Sequence, residues 1–225
     1  MKSYFTAIDP SKPSLSSEEI FVVKDYLHED ICKKLVVYSD WSTDKGAASI
    51  GQTNNEGFAK KSTSEGFKAD RIEILSIPIM RNNCMSICAD VYRNHVGPHY
   101  GVEIEWFEFP HILRYGPGGT YGIHSDAYNY NREKNEWRKV LNRDYSSILY
   151  LNSDFSGGTL AFPKLNLRIK PQAGMLITFP SDNRFLHTAE PTLTGTRYAL
   201  VTWAAIRGGK RVANAPRAKN IVRMS

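Results

Sequence analysis

From Val102 to Ile206, short apolar runs alternate with turn-forming residues, and this pattern predicts strands. Stretches rich in Ile, Leu, Tyr, Phe and Val at 103–115, 121–126, 145–152, 158–162, 165–170, 174–179, 185–190 and 196–206 are separated by Gly, Pro, Asn and Asp. About eight strands in tandem predict a jelly roll or a related double-stranded barrel. Upstream the period changes. Ile31, Cys32, Leu35, Val36 and Tyr38 recur at near-helical spacing across 29–39. Pro78 suits the first turn of a second helix, expected at 78–95, with Ile79, Ile87, Cys88, Val91 and Tyr92 as its apolar stripe and an end before Gly97-Pro98. Ile20 to Lys24 is a short β-prone run. Between Asp40 and Lys68, Gly46, Gly51, Gly57 and Gly66 break any period, so this segment reads as a long loop or irregular hairpin and a candidate lid.

The fold class predicted is mostly β with supporting N-terminal helices and a double-stranded β-helix core, jelly-roll or cupin-like. Residues 1–19, rich in Ser, Pro and Lys, read as a leader segment. A single domain follows over 20–206, with helical support at 20–100 and the jelly-roll core at 102–206, and a basic tail closes the chain at 207–225.

Composition narrows the class. At 225 residues, with 41% apolar and 23% charged residues, the chain has enough apolar material for one packed core and too much for general disorder. Cys32, Cys84 and Cys88 form neither an even disulfide framework nor a paired zinc motif, and Cys84 and Cys88 would share a helix face as buried thiols. No run is long enough to cross a bilayer and the start lacks a secretory apolar stretch, which gives the expectation of a soluble, cytoplasmic protein. The formal net charge of +6 is concentrated at Arg207, Lys210, Arg211, Arg217, Lys219 and Arg223. No stacking aromatics are interleaved with these cations, so the tail reads as a solvated terminus rather than a nucleic-acid surface.

The chemistry lies in His124-Ser125-Asp126. Alternation along a strand aims His124 and Asp126 at one face, and a third ligand is expected from a distant strand on the facing sheet, where His187 fits. Two imidazoles and a carboxylate hold a ferrous ion by one face and leave the opposite positions open. Arg197 shares parity with Ala199, Val201 and Trp203. An arginine turned into a barrel is costly unless an anion meets it, and a dicarboxylate held at the metal by its other end would do so. The alternative is a buried ion pair within the protein. His28, His95, His99 and His111 lack such partners in sequence and read as packing histidines.

These residues stand in an ordered set: Arg114-Tyr115, Tyr121-x-x-His124-x-Asp126, Arg143 to Tyr150-Leu151-Asn152, Gly157-Gly158-Thr159-Leu160-Ala161-Phe162-Pro163, Pro171-x-x-Gly174, His187, and Gly195-x-Arg197 through Trp203. The set resembles the prolyl 4-hydroxylase-like 2-oxoglutarate/Fe(II)-dependent dioxygenases over about residues 110 to 206. The resemblance implies Fe(II) at His124, Asp126 and His187, and 2-oxoglutarate at Arg197, Tyr115, Tyr150 and Leu160. It implies a substrate site lined by Tyr121, Arg143 and Trp203. Arg rather than Lys at 197, and Leu rather than Thr at 160, lean towards the oxygen-sensing and bacterial branches, and Asp126 disfavours halogenation.

The reaction implied by the resemblance is hydroxylation of a prolyl residue in a peptide or protein, with O2 consumed, succinate and CO2 released, and ascorbate as a reductant. A free amino acid or small metabolite is the alternative substrate. A non-catalytic metal-binding jelly roll and a nucleic-acid demethylase are the readings from other classes. The segment 126–142, with Tyr128, Tyr130, Trp137 and several cations, reads equally as a substrate-gripping cover or a solvated loop.

Overall fold

Strand alternation sorts the side chains into two cores. In the computed structural model, which describes residues 6–7, 19–43, 45–48, 50–53, 59–62, 67–74, 77–213 and 220–224, Leu149, Leu151, Tyr198 and Leu200 pack with the helical residues Leu35, Cys84, Cys88 and Tyr92. Tyr150, Ala199 and Val201, their neighbours of opposite parity, instead join Leu160, Phe162, Phe179 and Phe185. The first core seats the helices on the outer face of a sheet, and the second fills the space between two sheets.

The larger sheet runs Phe21–Val23, Leu176–Pro180, Tyr145–Tyr150, Arg197–Ile206, His111–Tyr115, Asp70–Glu73, Lys45–Ala47. The smaller runs Thr6–Ala7, Leu167–Ile169, Leu160–Phe162, His187–Ala189, Thr120–His124, Phe67–Lys68. Neighbours in each sheet come from distant parts of the chain, as a double-stranded β-helix requires. The expected strand 103–115 is two strands, Ile104–Glu108 and His111–Tyr115, both pairing along Arg197–Ile206. Phe109-Pro110 interrupts it, since proline gives the ladder no N–H.

The first helix, Glu29–Trp41, starts where the His28 ring accepts a hydrogen bond from the Asp30 N–H at 3.3 Å, and Glu29 and Asp30 favour the positive end of its dipole. The second helix, Pro78–Asp90, does not stop before Gly97-Pro98. It widens into a π turn, Val91–Val96, and continues as Gly97–Tyr100 until Gly101 turns left-handed. A Cβ on Gly97 would sit 3.1 Å from the carbonyl oxygens of Tyr92 and Val102, so glycine lets the chain pass closely there. Cys84, Cys88, Val91 and Tyr92 are buried as the stripe predicts, whereas Ile79 is exposed.

Two segments are more ordered than their sequences suggest. Residues Tyr128–Asn131 and Glu136–Lys139 form an antiparallel hairpin directly after Asp126, and the Val140 and Leu141 N–H groups return to the Ala127 carbonyl. The described part of the tail keeps its cations exposed, as expected, but is ordered. Ile221–Arg223 adds to the edge of Ile104–Glu108, while Arg207 pairs with Glu103, and Arg211 with Glu105 and Asp144. An open strand edge bearing carboxylates is a ready template for a basic strand. Residues 1–5 and 8–18 of the expected leader, 54–58 and 63–66 of the candidate lid, and Arg217 and Lys219 of the tail lie outside the described residues.

Candidate active site

His124 ends its strand directly opposite His187, so the two imidazoles come from adjacent strands of one sheet. This corrects the expectation that His187 would lie on the facing sheet: periodicity gives a strand's face but not its neighbour. A register shift between Tyr121 and His124 lets the two histidines meet, with ring centroids 4.2 Å apart. Asp126 lies beyond the strand, in a bend that the Ala127 N–H and the Ser125 hydroxyl tie to the Ser181 carbonyl at 3.0 and 2.9 Å.

The ring nitrogens are assigned by their neighbours. His124 Nδ1 lies 2.8 Å from the Gly122 carbonyl and His187 Nδ1 3.0 Å from the Phe185 carbonyl. A carbonyl can only accept, so each Nδ1 carries the proton and each Nε2 presents a lone pair. Those Nε2 atoms lie 3.5 and 3.6 Å from the Asp126 carboxylate oxygens, and the three donors fall within 4.8 Å of one another. Among the described residues this is the cluster of His, Cys, Asp and Glu side chains that could hold a metal ion.

Burial opposes ionisation of Asp126, but His187, His124 and Arg143 outweigh it and hold the carboxyl well below the usual carboxylate range. Ser146 donates to Asp126 Oδ2 at 2.6 Å and lies 2.7 Å from the Ser181 hydroxyl. Burial, then the neighbouring His124, pushes the His187 pKa down to about 4, which favours the neutral, metal-binding imidazole. Arg143 forms a bidentate pair with Glu108 at 2.5 and 2.7 Å and lies 3.7 Å over the Trp203 ring.

Arg197 is 2% exposed. Its Nη1 donates to the Gly158 carbonyl at 2.6 Å, its guanidinium lies 3.9 Å over Tyr115, and its Nε has no partner. The alternative of an internal ion pair does not hold, since none of the ion pairs among the described residues involves Arg197. A buried cation with donors to spare fits a carboxylate.

The His-Asp-His donors, Ser146, Arg143 and Arg197 line one cavity of about 290 Å³. Every residue singled out from the sequence for metal, co-substrate or substrate lies on its wall: Tyr115, Tyr121, His124, Asp126, Arg143, Tyr150, Leu160, His187, Arg197 and Trp203. Ala199 and Val201 join them, as the parity of the Arg197 strand predicts. Ser146, Ser181 and Glu108 were not read from the sequence. His111 also lines the cavity, and its signal was its place four residues before Tyr115 on the same strand face.

Residues 110–205 match the family profile described as the 2OG-Fe(II) oxygenase superfamily. The match spans less than half of the chain, and over that stretch the chain is similar to this superfamily. Human prolyl 3-hydroxylase 2 is 33% identical over 93 residues, covering 37% of this chain and 13% of that protein. Prolyl 3-hydroxylase 1 of Gallus gallus is 38% identical over 66 residues, 27% of this chain and 9% of the relative. The chain thus spans only a small part of the curated relatives it matches.

Two solved structures share the fold. The viral collagen prolyl hydroxylase of Paramecium Bursaria Chlorella virus-1, in complex with 2OG, has a TM-score of 0.60 at 18% identity, over 83% of this chain and 96% of that one. A Trichoplax adhaerens prolyl hydroxylase, in complex with a hypoxia inducible factor oxygen degradation domain peptide fragment, has a TM-score of 0.64 at 18% identity, over 85% of each chain. The superfamily implies Fe(II), 2-oxoglutarate and O2. The His-Asp-His donors and the unpartnered Arg197 Nε fit the first two.

Proposed function

We propose that this protein is a 2-oxoglutarate- and Fe(II)-dependent dioxygenase that hydroxylates a prolyl residue in a peptide or protein. The observation that carries the oxygenase reading is one cavity holding both the His124, Asp126 and His187 donors and the buried, partly unpaired Arg197. Likeness to prolyl hydroxylases in sequence and fold supports the prolyl substrate.

In this reading His124, Asp126 and His187 hold Fe(II), which when bound supplies the activation of O2 and the oxidation of a C–H bond. Arg197 takes the distal carboxylate of 2-oxoglutarate, and Tyr115, Tyr150 and Leu160 confine its carbon chain. Tyr121, Arg143 and Trp203 orient the substrate. The Glu108 pair and the Trp203 stack keep Arg143 from swinging, and the apolar inner faces of the strands exclude water. The balance is substrate C–H, 2-oxoglutarate and O2 giving substrate C–OH, succinate and CO2.

The protein loaded with Fe(II) is expected to form succinate from 2-oxoglutarate in an oxygen-dependent manner, with ascorbate as reductant. A peptide library is expected to show a gain of one oxygen on proline by mass spectrometry. His124→Ala and Asp126→Ala should abolish turnover, and Arg197→Ala should chiefly weaken 2-oxoglutarate affinity. No binding of either reagent and no turnover across the library would remove the oxygenase reading. Oxidation of a free amino acid but of no peptide would replace the substrate.

The three free, buried cysteines support a reducing compartment such as the cytoplasm. Among the described residues no helix is long and apolar enough to cross a membrane.

A further inference from the structure

The unpartnered Nε of Arg197 is one of three such atoms on residues of the same cavity, with Oγ of Ser147 and, on the sheet strand beside Arg197, Nδ1 of His111. On two adjacent strands of the larger sheet Tyr115 pairs with Arg197 and His111 pairs with Val201, and both pairs turn inward. The two positions therefore lie four strand residues apart, about 13 Å at the rise of a strand. A five-carbon dicarboxylate reaching from Arg197 leaves the His111 end of that span to the substrate.

His111 is 4% exposed, and its ring packs at 5.4 Å against Trp203, on which Arg143 also stacks. Burial, then the charges of Arg71 and Arg143, hold its pKa well below the ordinary value, so the ring is neutral and keeps one N–H to donate. A buried imidazole with an unanswered nitrogen is costly until a ligand meets it. The positive surroundings favour an oxygen acceptor over an ammonium group. Arg71 is already paired with Glu73 and Arg143 with Glu108, so a neutral peptide carbonyl suits this end better than a free carboxylate.

We propose that His111 is a specificity-determining residue that donates a hydrogen bond to a backbone carbonyl of the peptide substrate, beside the hydroxylated prolyl unit. The inference rests on the dioxygenase reading above and adds the group that distinguishes a peptide from a free amino acid.

The test compares the wild-type full chain with His111→Leu and His111→Gln. A proline-containing peptide hydroxylated by the wild type serves as probe, and 2-oxoglutarate affinity is measured separately by calorimetry with Mn(II) in the metal site. His111→Leu is expected to raise the peptide KM by roughly tenfold to a hundredfold, the scale of one lost buried hydrogen bond, while 2-oxoglutarate affinity stays within about twofold. His111→Gln, which keeps a donor, is expected to recover most of the loss. An unchanged peptide KM in His111→Leu would overturn the inference. So would a Gln variant as poor as Leu with normal 2-oxoglutarate affinity, or a joint loss of both affinities, which reports a packing role. If the wild type hydroxylates no peptide, the prolyl reading fails first and the His111 inference falls with it. If the wild type is active and the variants match it, only the inference falls.

Discussion

Asp126 is held in place by side chains outside the His-Asp-His cluster. Ser146 fixes one carboxylate oxygen and is itself linked to Ser181, so the carboxylate presents its remaining lone pairs in one orientation. Ser146→Ala is expected to weaken metal binding by about 10- to 100-fold, measured by Fe(II) or Mn(II) titration, with the fold intact by circular dichroism. His187 gives a pH signature. Its pKa in the folded protein lies at about 4, below the ordinary 6.5, so the unfolded chain binds the proton more tightly. Neutral His187 therefore contributes stability that is fully present above about pH 6.5 and is lost as pH falls towards about 4. The denaturation midpoint of metal-free protein should drop across that window, and the drop should shrink in His187→Gln. His124, Asp126, His187 and Arg197 were legible in sequence because their chemistry is carried by residue type and spacing. Ser146 was not, because a serine within an apolar strand acquires its role only from the register that sets it beside Asp126.

The turns that hold the strands in register are as demanding as the strands themselves. Gly174 has φ 76°, its N–H donates to the Tyr150 carbonyl, and a Cβ there would stand 2.3 Å from the Leu27 carbonyl oxygen. Gly174→Ala is expected to cost about 1–3 kcal/mol of stability, read by urea denaturation, because it combines left-handed strain with a backbone collision. The existence of most strands was legible from alternation, and so was the inward face of Arg197–Ile206. Their partners were not. A period of two residues tells which way a side chain points and is silent on which strand lies beside it, which is why His187 was assigned to the wrong sheet. The Tyr128–Asn131 and Glu136–Lys139 hairpin is hard to read for another reason: the Tyr128/Tyr130 alternation and the facing Trp137 span only four residues on each side of a charged turn, too short a pattern to set apart from a loop.

At the scale of the molecule, the basic tail shows how poorly net charge reports a surface. Arg207, Arg211 and Arg223 face Glu103, Glu105 and Asp144, so these cations are paired within the fold and do not form an open basic surface, although the net charge of the chain is unchanged. Val222 and Met224 also pack on the helix-side core. Truncation before Asn220 is expected to lower the melting temperature and promote aggregation, monitored by calorimetry and light scattering, since it bares the edge of Ile104–Glu108. The direct pairing of His124 with His187 has a further consequence, in time rather than space. These partners are far apart in the chain, so closing them requires a long loop whose entropy is lost before any contact rewards it. Metal affinity thus arises only when the smaller sheet has zipped, and in refolding followed by both tryptophan fluorescence and metal capture, capture should be the slower signal.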